Sequence, residues 1–383
     1  MTATNRPRPQ RSHPDENRID PAQGPPRTLA TGPTHGTDAT TAQGPPVTQH
    51  EPPQVGVIGA GPWGQRIAAC LAELGALAAI ADPNPTRRDE CQRRFPALPL
   101  FAHHDPLLRS PITAAVIATP MTTHATIARH CLDAGKDLFI EKPFTTNTRA
   151  AQTLARQATR SERILMVGHL LLYQSGIQWI HTRLAARPPK QPIHTLHQRH
   201  SDLTLPKECA LWGLAVHDVA VAIYIHGATP TLSAATIALD DAGLATDVRA
   251  CLHFPNSSTA NIHAAWNAPE RRRCLTVQAG AHHWTYDELT HEGREIGPAH
   301  PPTSPLVHRD APPLLNEMRA FLDHLNHRSL PLSNQHLGLA VVQVLQHIAR
   351  HATLLTPTAR ANQRLWSAPP PPRSLSCDPT SAR

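Results

Sequence analysis

Apolar positions along the chain predict alternating strands and helices from Val55 onwards. Short apolar runs read as buried strands, and apolar residues three and four positions apart between them read as one face of a helix. The predicted strands are 55–58, 77–81, 114–118, 137–140 and 164–168, and the predicted helices are one ending at Gly75, one ending at Gly135 and one at 148–163. Strands that alternate with helices pair in parallel, so we expect a doubly wound α/β domain at 53–169.

The pattern changes after residue 169, where stretches of strict apolar–polar alternation follow a helix. Such alternation on both sides of a short polar turn predicts an antiparallel hairpin. The predicted elements are a helix at 211–225, a hairpin at 248–254 and 260–266, strands at 275–277 and 283–286, and helices at 314–325 and 337–348, the last with Ser333 as its N-cap. We assign residues 170–356 to a second α/β domain.

Composition sets the two ends apart from the rest of the chain. The chain holds 40 prolines among 383 residues, and large apolar side chains are scarce in the Pro/Thr-rich residues 1–52. Such a segment buries too little surface to offset its chain entropy, so we expect disordered tails at 1–52 and 357–383.

Charge and cysteine content narrow the cellular setting. The formal net charge is +7, but no dense run of Lys and Arg occurs, so we expect no nucleic-acid partner. We find no apolar run long enough to cross a membrane and no apolar signal segment at the N-terminus, so we expect no membrane partner. The seven cysteines show no paired metal-ligand spacing, and reduced core thiols in a cytoplasmic protein are the simpler interpretation.

A glycine-rich loop joins the first strand to the first helix. In the run Gly59-Ala60-Gly61-Pro62-Trp63-Gly64, the first glycine permits a tight turn, the second lets a pyrophosphate approach, and the third lets the helix pack on the strand. Asp82 ends the second strand, where a carboxylate would accept hydrogen bonds from ribose hydroxyls and repel a 2′-phosphate. The sequence therefore predicts dinucleotide binding with NAD preferred over NADP, although Arg87 and Arg88 nearby leave NADP possible.

Three further features each have a chemical interpretation and a purely structural one. Lys142 follows an apolar strand and precedes a proline, so it is either a solvated surface charge or an ammonium at the ligand-binding end of the sheet. His217 lies on an apolar helix, where a packed or capping histidine is the plainer alternative to a catalytic one. The spacing of His194, His197 and His200 is not completed by Cys or Glu ligands, so we expect no metal site.

Several short motifs extend the pattern beyond the glycine loop. They are Ala118-Thr119-Pro120 with His124, Ala134-Gly135-Lys136, Glu141-Lys142-Pro143, Val167-Gly168-His169 with Tyr173, Leu211 to Asp218, Ala265-Trp266 and Pro313 to Phe321. With the glycine loop, these motifs resemble the glucose-fructose oxidoreductase/inositol 2-dehydrogenase family, Gfo/Idh/MocA, over about 53–355.

The resemblance implies a Rossmann domain followed by an α/β domain with a large, mostly antiparallel sheet that makes a homodimer or homotetramer. It implies hydride transfer between a nicotinamide and a hydroxyl-bearing carbon of a sugar, amino sugar, nucleotide sugar or cyclitol. Lys142 and His217 would be catalytic, and His169, Tyr173 and Trp266 would bind substrate. The cofactor would be bound by Gly59, Gly61, Pro62, Trp63, Gly64, Asp82, Thr119, Pro120, His124, Glu141 and Lys142.

One departure from the family pattern concerns the acid–base site. Members commonly carry an aspartate four residues before the histidine, and this chain has Gly213 there. Met121 stands where members often have asparagine, at the cofactor. Three alternatives follow: a dehydrogenase in which Lys142 and His217 handle the proton alone, an imine or carbonyl reductase of a biosynthetic intermediate, or a cofactor-binding protein with impaired catalysis.

Overall fold

The computed structural model describes residues 53–186, 188–202, 208–298, 306–307 and 312–355. These residues all belong to one compact unit. The disordered tails predicted at 1–52 and 357–383 lie outside the described residues, so they stay a prediction.

The first sheet is parallel, as the alternating pattern predicted. Its strands are β1 (Val55–Ile58), β2 (Leu77–Ala81), β3 (Leu100–Phe101), β4 (Ala114–Ile117), β5 (Asp137–Glu141) and β6 (Leu165–Gly168). They lie in the order β3-β2-β1-β4-β5-β6, and every neighbouring pair is parallel. This is the doubly wound Rossmann order, in which the crevice at the carboxyl ends of β1 and β4 is the expected ligand site.

Five helices connect the strands of the first sheet, and two of them escaped prediction. They are α1 (Pro62–Glu73), α2 (Pro85–Arg94), α3 (His104–Arg109), α4 (His124–Asp133) and α5 (Thr148–Arg160). Only Cys91 is buried in α2, so that helix carries no apolar stripe to recognise. The helix is nevertheless marked at its start, because Asn84 caps it and proline occupies its first turn.

The second sheet has nine strands within the described residues and is mostly antiparallel, as the resemblance implied. The strands are β7 (Ile193–His200), β8 (Thr231–Leu239), β9 (Ala245–His253), β10 (Thr259–Ala265), β11 (Arg272–Ala279), β12 (His282–Asp287), β13 (Glu292–Ile296), β14 (Leu306–Val307) and β15 (Thr353–Leu355). Their order is β14-β13-β12-β11-β7-β10-β9-β8-β15. Only the pairs β7–β10 and β8–β15 are parallel within this described sheet. The predicted hairpin is β9–β10, with Leu252 opposite Ala260.

Four helices accompany this sheet, and one of them joins the two cores. They are α6 (Ser175–Ala186), α7 (Val216–His226), α8 (Pro313–His327) and α9 (Gln335–His351). Val341 of α9 packs with the apolar face of the second sheet, whereas its neighbour Val342 packs into the core of the first sheet. Among the described residues, no helix is long and apolar enough to cross a membrane.

The start of α9 corrects one prediction. Asn334, not Ser333, is the N-cap, because its side chain accepts hydrogen bonds from the backbone N–H groups of His336 and Leu337. Ser333 is one residue further out, and its hydroxyl is instead hydrogen-bonded to the hydroxyl of Tyr173 at 3.0 Å.

The cysteines follow the expectation only in part. Free thiols are found at Cys70, Cys91, Cys131, Cys209 and Cys251. Cys274 is not among these free thiols, and Cys377 lies outside the described residues.

Candidate active site

The glycine loop lies at the carboxyl end of β1. The protein's own structure requires glycine at two of its three glycine positions and leaves open space at the third. Gly59 has a φ of +98°, a left-handed conformation that favours glycine. A Cβ on Gly64 would lie 1.9 Å from the carbonyl oxygen of Gly59, so only glycine lets α1 start this close to the strand. A Cβ on Gly61 would meet no heavy atom within 4 Å. The space above Gly61 at the N-terminus of α1 therefore fits a pyrophosphate.

Asp82 braces this loop from the end of β2. Its carboxylate is almost fully buried and accepts hydrogen bonds from the backbone N–H of Ala60 at 2.7 Å and of Asn84 at 2.8 Å. The guanidinium of Arg87 lies 3.6 Å from the same carboxylate. Asp82, which would favour NAD, therefore lies beside Arg87, which would favour NADP.

His124 ties two loops of the crevice together. One ring nitrogen lies 2.9 Å from the carbonyl oxygen of Thr119, and the other lies 2.8 Å from that of Pro143. Burial is the main cause that lowers the pKa of this histidine. Its contacts thus join the Thr119-Pro120 turn to the segment after β5, which is a positioning role.

Glu141 connects the glycine loop to the segment that carries Lys142. Its carboxylate accepts a 2.6 Å hydrogen bond from Nε1 of Trp63 and a second from the backbone N–H of Lys142. Burial raises the pKa of Glu141 to about 7, against the opposing effects of Trp63 and Lys142. A Cβ on Gly168 would lie 3.1 Å from this carboxylate, so β6 packs closely against it.

The side chain of Lys142 crosses the crevice towards the segment at 208–213 that precedes α7. A cis peptide bond joins Lys142 to Pro143. The Nζ of Lys142 lies 3.5 Å from the carbonyl oxygen of Gly213 and 3.6 Å from the carboxylate of Glu208. Because the lysine side chain is only 21% exposed, a surface charge free in solvent is a poor description of it.

Two histidines lie close to Lys142. His217 stands in the first turn of α7, directly after a π-helical turn at Leu211–Ala215. Burial, and next the positive charge of Lys142, lower its pKa well below the usual value. Its Nδ1 is buried and has no hydrogen-bond partner among the described residues. A neutral imidazole held in this way can accept a proton at neutral pH.

His169 follows β6 and is 1% exposed, with no hydrogen-bond partner for either ring nitrogen among the described residues. Burial, and next Lys142, lower the pKa of His169 to about 3. It also contributes to the lowered pKa of His217, which places both histidines at one centre.

The other two predicted substrate residues have different surroundings. Trp266 comes within 3.5 Å of where a Cβ on Gly213 would lie, so it belongs to the wall beside Lys142. The hydroxyl of Tyr173 is turned to Ser333, and burial raises its pKa above the usual value. For Tyr173, contact with a substrate stays a prediction that this geometry does not support.

Asp218 faces away from the crevice, as its position next to His217 required. It forms a buried ionic triad with Arg199 of β7 and Glu288. The Nε of Arg199 lies 3.2 Å from both carboxylate oxygens of Asp218, and its Nη1 donates to Glu288 at 3.1 Å. The triad attaches the first turn of α7 to the second sheet, so it fixes where His217 points.

Three charged residues of this region were missed by sequence reasoning. Glu208 contacts Lys142, and Arg199 contacts Asp218 beside His217. Glu317 of α8 is fully buried with both oxygens unpartnered among the described residues. Burial, and next the charge of Glu141, raise the pKa of Glu317 well above its usual value. A carboxylate inside the apolar stripe of α8 was the signal in the sequence.

The histidines of β7 do not form a common site. His194 is hydrogen-bonded to Thr259 and His200 to His263, whereas His197 lies on the buried face and contacts Thr195. Side chains at 197 and 200 point to opposite sides of the sheet because their separation is odd.

Comparison with known proteins places these features in context. Residues 54–169 match the GFO_IDH_MocA family, described as an oxidoreductase family with an NAD-binding Rossmann fold. The chain is 29% identical over 235 residues to the UDP-N-acetylglucosamine 3-dehydrogenase of Acidithiobacillus ferrooxidans, covering 58% of this chain and 70% of that protein. It is 27% identical over 178 residues to the inositol 2-dehydrogenase of Agrobacterium fabrum, covering 44% of this chain and 51% of that protein.

Solved structures show the same fold over most of the chain. A structure of the Acidithiobacillus ferrooxidans enzyme superposes with a TM-score of 0.73 at 22% identity, covering 79% of this chain and 98% of that chain. A 3-ketoreductase from Actinomadura kijaniata, in complex with NADP and TDP-benzene, superposes with a TM-score of 0.71 at 18% identity and covers 80% and 99%. At these identities the likeness shows the fold.

Proposed function

Because the chain belongs to the Gfo/Idh/MocA oxidoreductase family, an NAD(P)-dependent group, we propose that it oxidises or reduces a hydroxyl-bearing carbon of a sugar-like molecule. The substrate class comprises sugars, amino sugars, nucleotide sugars and cyclitols. The observation that supports this proposal is that the glycine loop and Lys142 lie at the carboxyl edge of one parallel sheet, with His217 of α7 close enough for the charge of Lys142 to lower its pKa. The curated relatives named above, a nucleotide-sugar and an inositol dehydrogenase, act on members of this class.

The dinucleotide would lie between the glycine loop and the crevice. Gly61 and the N-terminus of α1 would hold its pyrophosphate, since the space above Gly61 is open and the first N–H groups of a helix have no acceptor within the helix. Asp82 would meet the adenine-side ribose, and its charge supports a preference for NAD over NADP. When bound, the nicotinamide supplies the hydride acceptor or donor.

Lys142 and His217 would act on the hydroxyl of the substrate. Burial keeps His217 neutral at pH 7, so it can take the hydroxyl proton as the carbon is oxidised. The ammonium of Lys142 would donate to the oxygen on which negative charge develops. The triad of Arg199, Asp218 and Glu288 keeps the imidazole aimed at that oxygen.

A substrate screen tests this function. The purified protein is incubated with nucleotide sugars, amino sugars and cyclitols, with each cofactor, while nicotinamide absorbance is followed. We expect turnover with at least one member. His217→Ala should lower kcat by about 10²–10⁴-fold and leave the cofactor Kd nearly unchanged, because general acid–base help has that size. If His217→Ala and Lys142→Ala both retained full rate, this mechanism would be wrong.

Two other outcomes of the screen identify the alternatives. Reduction of a carbonyl or imine with a clear NADPH preference would favour a biosynthetic reductase. Tight NAD(H) binding without turnover of any panel member would favour a cofactor-binding protein that has lost its chemistry.

A further inference from the structure

Gly213 leaves a space beside Lys142, and the side chain of Glu208 fills it. A Cβ on Gly213 would lie 3.0 Å from the Oε2 of Glu208 and 3.1 Å from its Cβ. Contacts below 3.4 Å are tighter than an ordinary van der Waals contact, so a side chain at 213 would compete with Glu208 for the same volume. The absence of a side chain at 213 is therefore what gives Glu208 access to the crevice.

In that space, Glu208 reaches the ammonium of Lys142. The Oε2 of Glu208 lies 3.6 Å from Nζ, and the carbonyl oxygen of Gly213 lies 3.5 Å from it. A lysine ammonium has three N–H donors. One donor is directed to the carbonyl oxygen of Gly213, and the carboxylate of Glu208 is an ion-pair partner on the same side, which leaves a donor for an oxygen of the substrate.

We propose that Glu208 supplies the carboxylate of this active site, and that it does so from a position five residues before Gly213. Glu208 is a positioning residue: it orients Lys142 and balances its charge, while Lys142 contacts the substrate. This inference rests on the proposed function, and it replaces the impaired site suggested by the sequence with a complete site whose carboxylate has moved along the chain.

The charges around Lys142 explain why such a carboxylate matters. Lys142 shares the crevice with His169 and His217, and its positive charge lowers the pKa of both rings. Glu141 is largely buried and is already bonded to Trp63 and to the backbone of Lys142, not to Nζ. Glu208 is thus the carboxylate that the described structure places against the ammonium itself.

Moving the carboxylate back to position 213 tests the proposal. Glu208→Gln removes the charge and keeps the shape, and we expect kcat to fall by about 10- to 100-fold, with cofactor Kd within about twofold of wild type. Gly213→Ala should lower kcat in the same direction, because its methyl carbon would lie 3.0 Å from the Oε2 of Glu208 and would push the carboxylate aside. The double variant Glu208→Ala with Gly213→Asp should recover most of the rate.

The matched control is Asp202→Asn, which removes one exposed carboxylate from the same connection and should leave kcat unchanged. A full rate in Glu208→Gln would overturn the proposal. So would a double variant that folds, binds cofactor and stays as slow as Glu208→Gln. If the double variant does not fold, the comparison of Glu208→Gln and Gly213→Ala with Asp202→Asn decides the matter.

A second readout needs no turnover. The rate at which an amine reagent labels Lys142 is measured by mass spectrometry, and we expect it to rise severalfold in Glu208→Gln and Gly213→Ala but not in Asp202→Asn. If the wild type turned over no panel substrate, the proposed function would fail while labelling still reported on the Glu208–Lys142 contact. Unchanged labelling in all three variants would overturn the contact itself.

Discussion

Replacing Gly61 by alanine should separate the cofactor cradle from the fold that carries it. Gly61 has a φ of −64° and a ψ of 176°, which alanine adopts without strain, and its added methyl group would meet no protein atom within 4 Å. Because alanine restricts the unfolded chain, we expect the free energy of unfolding to stay equal or rise by about 0.4–1 kcal/mol. The same methyl group would occupy the space into which the pyrophosphate must move.

The affinity for the dinucleotide should therefore fall while the fold is kept. We expect the Kd for NADH to rise at least about tenfold, which corresponds to about 1.4 kcal/mol. Titration calorimetry measures the affinity, and urea unfolding followed by tryptophan fluorescence measures the stability.

Gly64→Ala is the matched control, because it adds the same methyl group three residues along. There the methyl carbon would lie 1.9 Å from a backbone oxygen, so α1 must shift. We expect a loss of about 1–3 kcal/mol in the free energy of unfolding. If Gly61→Ala lost as much stability as Gly64→Ala, or bound NADH as tightly as wild type, this account of the loop would be refuted.

Two further predictions concern buried charge. Burial raises the pKa of Glu141 to about 7, and it raises the pKa of Glu317 well above its usual value. Because the unfolded chain loses these protons at lower pH than the folded protein, the free energy of unfolding should fall as the pH rises from about 4.5 past 7. Glu141 alone should account for about 3 kcal/mol of this fall. Glu317→Gln should make that fall shallower in urea titrations at about pH 5 and about pH 8, and an unchanged slope would contradict the assignment. Asp218→Ala removes one buried partner of Arg199 and should lower the free energy of unfolding by about 3–5 kcal/mol. The control is Asp133→Ala, which breaks an exposed ion pair and should lower it by less than about 0.5 kcal/mol. Equal losses in these two variants, measured by urea unfolding, would show that the triad does not hold α7.

The sequence carried enough information for five of the six strands of the first sheet, because those strands and the helices between them bury apolar stripes. The two-residue strand β3 was missed. The helices at 85–94 and 104–109 bury little, so the periodicity that found α1 and α5 was silent there. The strands β7 and β8 were missed because their outward positions carry His, Gln and Thr in patterns that also suit loops. A helix start that is fixed by a capping side chain, such as that of Asn84 or Asn334, has to be recognised from the capping residue and not from apolar periodicity.

Site residues were predictable where a motif fixes them to one strand end. The glycine loop lies in one short segment, and Glu141 and Lys142 lie together in another. The structure brings the glycine loop and Lys142 to the same crevice. Glu208 could not be found in this way, since its role depends on the volume left by Gly213 and on a lysine more than sixty residues earlier. The role of His124 as a link between two backbone carbonyls likewise exists only in three dimensions.

Direct transfer of hydrogen between substrate and nicotinamide tests the central claim most sharply. A panel substrate that shows turnover is prepared with deuterium on the reacting carbon, and the reduced cofactor is analysed by mass spectrometry and NMR. The account predicts one deuterium on C4 of the nicotinamide for each molecule oxidised, with the rate of transfer lowered by about 10²–10⁴-fold in His217→Ala. Exchange of the deuterium with solvent water, with none reaching the nicotinamide, would contradict it.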